Sequence, residues 1–187
     1  MSREVKITLA ILAAVFWIVF VGFVAFLFAW SRAMSAAAHD PVARRATVEK
    51  IATLTIPKGY KIRDAIDMGF AQMATIVPAG REHRSFHIQL QGSGAMSAEA
   101  QNRRIRGSLG MIDRKMHCGM VDGGVDRIVV RGMTVGLRVI LCSNPAVPNR
   151  MEIGTFPGNG ASAVISANGS TADFDTAALH ALLKSVR

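Results

Sequence analysis

One apolar run near the N-terminus constrains this chain more than any other feature. Ile7 to Trp30 is a stretch of 24 residues without a charged side chain. At the rise of an α-helix it covers about 36 Å, which is enough for the ~30 Å hydrocarbon core of a bilayer. Trp30 and Arg32 give the order of an indole and then a cation that is typical of a membrane interface. We therefore predict a short tail at 1–6 and a transmembrane helix at 7–30.

This apolar run is expected to stay on the mature protein as a signal anchor. The apolar core of a cleaved signal peptide has about 7 to 15 residues, and this run is much longer. Positive charges on its two sides are nearly balanced, but a long domain behind a single N-terminal anchor is usually translocated. We expect a single-pass protein of the inner (cytoplasmic) membrane whose soluble domain faces the periplasm.

The rest of the chain is predicted to consist of a linker followed by one basic domain. Residues 31–46 are rich in alanine, and Pro41 would break a helix that leaves the membrane, so we predict a linker there. Arg44 and Arg45 are interpreted either as solvated linker residues or as contacts to anionic headgroups. Residues 47–187 form the soluble domain, in a chain with 22 Lys and Arg against 13 Asp and Glu and a net charge of +9.

The placement of the aromatic residues argues against a nucleic-acid partner. Seven of the twelve aromatic residues lie in the apolar run, which leaves five for the rest of the chain. A single-strand platform stacks successive bases on several exposed rings. We therefore expect the partners to be the membrane and a protein of the membrane or cell envelope, with no nucleic acid.

Most of the domain has the alternating apolar pattern of β-strands. Ala52, Leu54 and Ile56 alternate with threonines, which indicates a strand with one buried face. Gly123-Gly124 and Arg131-Gly132 are typical of tight hairpins between later strands. The predicted strands cover residues 48–56, 70–77, 86–91, 111–121, 126–131, 133–143, 150–156 and 161–167.

Two helices complete the predicted fold. Ser97 can cap a helix over 98–109, and Asp173 can cap a second helix near the C-terminus. The fold class is therefore α+β: an antiparallel sheet packed by a mid-chain helix and a C-terminal helix, preceded by one transmembrane helix. The stripe of the last helix expected to face the sheet consists of Phe174, Ala178, Leu179, Ala181, Leu182, Ser185 and Val186.

Short strings along the domain resemble a known fold. Leu-Thr-Ile-Pro-Lys-Gly-Tyr at 54–60, Val-Arg-Gly-Met-Thr-Val at 130–135 and Leu-His-Ala-Leu-Leu-Lys-Ser-Val at 179–186 are similar in layout to the Mog1/PsbP-like sandwich. The resemblance covers residues 48–187 and implies a binding or assembly role without catalysis. It carries over no site residue. Residues 56–76 are also similar to uncharacterised membrane-anchored bacterial proteins.

The strongest metal-site pattern is Met-His-Cys-Gly-Met at 116–120. Thioether, imidazole and thiolate donors of this kind select Cu(I). On a strand, however, Met116, Cys118 and Met120 point to one face and His117 points to the other. The alternative is a buried core face, since methionine and cysteine commonly pack inside. We favour the core, expect no cofactor, and keep a Cu(I) site at these four residues as the alternative.

The two cysteines, Cys118 and Cys142, could instead form a disulfide in an oxidising compartment. If the strand 126–131 lies between theirs, their Cα atoms are about 9.6 Å apart, beyond the ~7 Å limit of a disulfide. A disulfide therefore requires another strand order, or a Cys142 that lies past the end of the middle strand. The bonded and the reduced states both stay open.

A basic cluster and the lack of catalytic motifs complete the functional prediction. The basic cluster consists of Arg103, Arg104, Arg106, Arg114 and Lys115. It is either a solvated surface or a contact for headgroups or an acidic partner. The sequence shows neither a nucleophile elbow nor a phosphate loop. We predict a non-catalytic binding, assembly or accessory subunit of an envelope or inner-membrane complex, with Cu(I) handling or an enzyme of unknown class as alternatives.

Overall fold

The computed structural model of the chain describes residues 15–29, 32, 40–80, 85–93, 103, 119–142, 144 and 148–187. The chain divides into two compact units, Met1–Ala37 and Ala38–Arg187. Residues Pro41–Ile51 of the second unit form an α-helix, which covers the last residues of the predicted linker at 31–46.

In the first unit, residues 15–29 form a helix, α1, whose side chains are exposed on all sides. Its large apolar residues are between 45% (Leu27) and 72% (Ile18) exposed. The Arg32 guanidinium lies 5.2 Å from the ring centroid of Phe28. Within the part of the chain that the structure describes, no helix is both long enough and apolar enough to cross a membrane. Residues 7–14 and Trp30, the two ends of the predicted span, lie outside that part.

The second unit is a seven-stranded antiparallel sheet with two described helices, which confirms the α+β class. The strand order is β1-β2-β3-β7-β6-β5-β4, so β1 and β4 are the edges of this sheet. Of the predicted helix over 98–109 the structure describes Arg103 alone, which is helical and exposed. The elements are α2 (Pro41–Ile51), β1 (Tyr60–Asp67), β2 (Ala71–Pro78), β3 (His87–Ser93), β4 (Met120–Val130), β5 (Met133–Cys142), β6 (Asn149–Pro157), β7 (Ser162–Ser170) and α3 (Thr176–Lys184).

The predicted strand at 48–56 is wrong, because α2 occupies its first residues. Asp40 caps this helix by accepting a 3.1 Å hydrogen bond from Val42 N, and Pro41 takes the first helical position. Proline suits that position because its missing N–H would have had no partner inside the helix. At the other end, Asn159 N donates to Ile51 O and its side chain donates to Glu49 O, so the loop between β6 and β7 satisfies carbonyls that a helix end leaves open.

The region after Gly119 also differs from the prediction. The strands predicted at 111–121 and 126–131 are, in their described residues, one strand, β4. Asp122-Gly123-Gly124 is a bulge within it, between the pairs Asp122↔Ile140 and Val125↔Arg138. The predicted hairpin at Arg131-Gly132 is confirmed, since both residues have positive φ angles of 49° and 74°, as a tight turn of this kind requires.

One large core joins both helices to the sheet. On one face of the sheet, fully buried residues such as Ile76, Ile88 and Ile165 pack with Ile51 of α2 and Leu182 of α3. Burial of a side chain of this size contributes about 1.5–3 kcal/mol. The buried stripe of α3 includes Leu183, which the sequence prediction left out. Its residues are Ala178, Leu179, Leu182 and Leu183, whereas the predicted member Ala181 is exposed.

The start of α3 was also misplaced by two residues. Asp175, rather than Asp173, is the cap, and its side chain accepts a 2.9 Å hydrogen bond from Ala178 N. Phe174 lies just before the helix, 5.1 Å from the ring of Phe86 in an edge-on contact. This contact brings the last aromatic residue of the chain against the core.

Candidate functional site

A cleft of about 430 Å³ lies between α2 and the segment 54–62. That volume is within the ~300–1,000 Å³ of small-molecule sites. One wall is one face of α2, and the other is the chain that leads into β1. The cleft is lined by Pro41, Arg44, Arg45, Val48, Glu49, Leu54, Thr55, Ile56, Tyr60, Lys61 and Ile62.

Arg44 fixes the position of the first wall. Its Nη1 donates to the carbonyl oxygens of Ile62 at 2.8 Å and Arg63 at 2.7 Å. The register of β1 against β2 shifts between Ile62 and Asp64, which makes Arg63 the extra residue of a bulge. A bulge disrupts the ladder locally, and a guanidinium has several donors with which to satisfy the freed oxygens. Arg44 is therefore half-buried in a fixed place and is not a solvated linker residue.

The second wall is fixed by the C-terminal helix. Thr55 N donates to Ser185 Oγ at 2.9 Å, and this hydroxyl donates in turn to Thr55 O at 3.1 Å. Arg187 N donates to Thr53 O at 2.9 Å. This segment has the alternating pattern of a strand, but its backbone groups pair with the end of α3 and not with the sheet.

Tyr60 connects the two walls to the cap of α3. Its hydroxyl donates a 2.7 Å hydrogen bond to Asp175 Oδ2, while Asp175 Oδ1 caps the helix. The Tyr60 ring meets Phe86 edge-on, with centroids 6.2 Å apart. Tyr60 therefore packs against the core and also lines the cleft.

The cleft combines an apolar floor with a positive rim. Leu54, Ile56 and Ile62 are half-buried and pack against the main core. The rim holds three cations, Arg44, Arg45 and Lys61, and one carboxylate, Glu49. Arg45 and Glu49 are 3.7 Å apart with side chains 81% and 62% exposed, and a pair this exposed contributes little. Such a cleft suits a group that is partly apolar and carries negative charge.

A second polar cluster surrounds the buried side chain of Glu152 on β6. Arg150 donates to Glu152 Oε1 through Nε at 2.9 Å and Nη2 at 2.5 Å. Its guanidinium also lies 5.0 Å from the ring centroid of Phe174. Burial raises the pKa of Glu152, the Arg150 contacts oppose that rise, and the negative charge of Asp126 adds to it. Among the described residues, Glu152 Oε2 has no hydrogen-bond partner.

Next to Glu152, His180 and Asp126 join α3 to the edge strand β4. His180 Nε2 lies 2.5 Å from Asp126 Oδ2, and both side chains are less than one-third exposed. Asp126 and His180 both act electrostatically on Glu152. Arg150, Glu152, Asp126 and His180 therefore form a polar cluster between the sheet and the last helix, which we interpret as bracing and not as a binding site.

Most of the predicted metal ligands lie outside the described residues. Met116, His117 and Cys118 are among these, whereas Met120 begins β4 and packs beside Ile140 and Ile153 in a second, smaller cluster. In the part of the chain that the structure describes, no group of three or more His, Cys, Asp or Glu side chains is arranged to hold a metal ion. The copper site therefore stays a prediction.

Cys142 takes part in a disulfide. The sequence contains one other cysteine, Cys118, which lies outside the described residues. The expectation that another strand separates the two was wrong, because β4 pairs directly with β5 and Met120 stands opposite Cys142. Position 118 is two residues before Met120, and the distance that argued against a Cys118–Cys142 bond no longer applies.

The structure describes only one residue of the predicted basic cluster. Arg103 is exposed, and Arg104, Arg106, Arg114 and Lys115 lie outside the described residues. Of the predicted interfacial pair, Arg32 is exposed and Trp30 lies outside them. The sequence indicates Arg44 and Arg45 as solvated linker residues or headgroup contacts and gives no sign of the cleft itself. The cap at Asp40 and the proline after it were the signal that could have revealed α2.

We find no match between this chain and the models of known protein families, nor with curated proteins. The Mog1/PsbP-like layout therefore stays a prediction.

Proposed function

We propose that this protein is a single-pass, membrane-anchored binding protein whose α+β domain faces the periplasm. It acts without catalysis as an accessory or assembly component of an envelope or inner-membrane complex. The cleft beside α2 is its binding site.

The observation that carries this proposal is the surface of α1. Its apolar side chains are exposed around the whole helix, and a helix that is apolar all round needs a buried or lipid environment. The sequence continues the apolar run to Ile7 and Trp30, which gives the length that a bilayer demands. A lipid environment would cover this surface.

The disulfide supports the proposed compartment. Disulfides persist in the bacterial periplasm and are rare in the reducing cytosol. Cys142 is bonded, which agrees with a domain on the outer side of the membrane.

The cleft supports binding as the mode of action. Its walls are fixed by Arg44, Ser185 and Tyr60, so the site exists before a partner arrives. An apolar floor beneath a rim of three cations offers both affinity and selection for negative charge. An acidic, partly apolar segment of a membrane or envelope protein would fit these properties.

Extraction of membranes at high pH tests the anchor. Carbonate removes peripheral proteins and leaves integral ones, so the wild-type chain should stay with the membranes. Replacing Phe20 and Val24 with arginine places two charges in α1, each costing about 2.5–3.5 kcal/mol at the centre of a membrane helix, and should release the protein. Release of the wild-type protein would contradict the proposal.

A matched control separates anchoring from a general effect of added charge. Gln89 is exposed on β3 of the second unit. The Gln89→Arg variant should remain in the membrane fraction as the wild type does. Equal release of both variants would show that the charge, and not its place in α1, determines extraction.

A further inference from the structure

The turn between β1 and β2 presents a compact apolar surface, which we call the apolar tip. Phe70 is 76% exposed at the turn, and Met68 beside it is 37% exposed. Ile66 and Met73, which are 38% and 39% exposed, stand opposite each other on the two strands. The apolar tip therefore consists of Ile66, Met68, Phe70 and Met73.

The turn that carries the apolar tip is held rigidly. Asp67 accepts hydrogen bonds from Gly69 N at 2.8 Å and from Gln72 Nε2 at 3.3 Å. Met68 N donates to Ala71 O at 2.9 Å, and Gly69 supplies the positive φ of 80° that the turn requires. The backbone that carries Phe70 is thus fixed, which reduces the entropy lost when this residue is covered.

The charge nearest the apolar tip is neutralised. Asp67 is the carboxylate next to it, and Lys50 Nζ lies 2.6 Å from Asp67 Oδ2. Residues 68–71 are Met, Gly, Phe and Ala and carry no charge. Moving residues 68–71 into a less polar medium therefore buries no charge of their own, and the carboxylate beside them is already paired.

We propose that the apolar tip inserts into the interfacial region of a lipid bilayer. Covering the four side chains removes on the order of 400 Å² of surface, taking ~200 Å² for a large side chain. A stable protein interface covers ~800 Å² on each partner, so the apolar tip is too small to hold a protein by itself. A bilayer that the anchor already holds beside the domain does not need a contact area of this size.

This inference rests on the proposed function, because the anchor is what keeps the domain beside a bilayer. It adds a second contact with the membrane, made by the folded domain itself. Two contacts restrict the motion of the domain more than the anchor alone.

Depth-dependent quenching of a single tryptophan tests the inference on the full-length chain in lipid nanodiscs. The variant Trp17→Phe/Trp30→Phe/Phe70→Trp has one indole, at the apolar tip. We expect blue-shifted emission that is lost in bilayers of phospholipids brominated in the upper acyl chain, compared with unbrominated ones. The loss should persist at high salt, because salt screens charge contacts and not apolar burial.

The matched control places the indole at Val129 on the other edge of the sheet, where the side chain is 60% exposed. This Trp17→Phe/Trp30→Phe/Val129→Trp variant should show no quenching. Equal quenching at both positions, or none at position 70, would overturn the inference.

A third variant distinguishes failure of the inference from failure of the proposed function. Trp30→Phe alone leaves Trp17, which lies in α1 and is 61% exposed. Quenching of Trp17 without quenching at position 70 would leave the anchor intact and reject the second contact. Phospholipids brominated near the end of the acyl chain reach the depth expected of Trp17 in a span over 7–30, and a Trp17 that they leave unquenched would reject the anchor, and with it the inference.

Discussion

Lys50 donates a 2.6 Å hydrogen bond to Asp67 and so joins the last turn of α2 to the end of β1. The contact links the cleft and the apolar tip, the two parts of the domain to which we assign binding. On one side α2 forms a wall of the cleft, and on the other Asp67 organises the turn that carries Phe70.

Acid should weaken the fold through Asp67. The hydrogen bond from Lys50, followed by that from Gly69 N, lowers the pKa of Asp67 below 3.8. A lowered pKa in the folded state stabilises the protein above pH 3.8, and this contribution is lost as the pH falls towards the folded-state pKa. In urea titrations, Asp67→Asn should cost about 1 kcal/mol at pH 7 and progressively less below pH 4. A cost independent of pH would contradict this assignment.

Glu152 should have the opposite pH dependence. Burial raises its pKa above 4.5, so its contribution to stability is complete below pH 4.5 and is lost as the pH rises through the folded-state value. The stability of the wild type relative to Glu152→Gln, which cannot ionise, should therefore fall between pH 4 and pH 8. Thermal unfolding of both proteins across this range measures the difference. A difference that grows with pH would show that the Arg150 contact outweighs burial.

Arg44 and Arg45 should differ in their effect on stability although they are neighbours in sequence. Arg44→Ala leaves the carbonyl oxygens of the β1 bulge without their donor and should destabilise the domain by about 1.5–3 kcal/mol. Arg45→Ala removes one exposed ion pair and should change stability by less than about 1 kcal/mol. Chemical denaturation of both variants checks the contrast, and equal effects would argue against the described position of Arg44.

Charge reversal on the rim of the cleft should weaken binding without unfolding the domain. Arg45→Glu removes one of three rim cations and adds a negative charge at an exposed position. On native gels of detergent-solubilised membranes we expect the wild-type chain to migrate within a larger complex and the Arg45→Glu variant to be absent from that complex. Arg127→Glu is the control, because Arg127 is exposed on β4 at the other edge of the sheet. Loss of the complex in the Arg127→Glu variant as well would show that the effect is not specific to the cleft.

The sequence predicts best those elements in which one pattern dominates. Phe86, Ile88 and Leu90 alternate with polar residues and are almost fully buried in and beside β3. The strands β2, β6 and β7 lie close to their predicted positions, as does the turn at Arg131-Gly132. In each case local propensity and tertiary packing favour the same structure.

The errors occur where a local signal has two physical meanings. Pro41 was treated as the end of a helix, but it is equally suited to the start of one. Gly123-Gly124 was treated as a hairpin, but glycine also permits a bulge inside a strand. The edge strand β1 was missed because Lys61, Arg63 and Asp64 interrupt its apolar pattern, as charged residues often do at a sheet edge.

The cleft could not be predicted for a different reason. Its walls depend on hydrogen bonds between distant parts of the chain, such as Thr55 with Ser185 and Tyr60 with Asp175. The segment 52–56 has the pattern of a strand, and only these tertiary contacts determine that it pairs with the C-terminal helix. The apolar tip depends in the same way on the pairing of Asp67 with Lys50.

Thiol labelling of intact spheroplasts tests the central claim most directly, that the domain is anchored outside the cytoplasm with its cysteines oxidised. A membrane-impermeant maleimide is applied before and after treatment with an impermeant reductant, and denatured protein from lysed cells serves as the control for complete labelling. The account predicts that label appears in intact spheroplasts only after reduction. Label that appears only once the membrane is broken would place the domain in the cytoplasm and contradict the account.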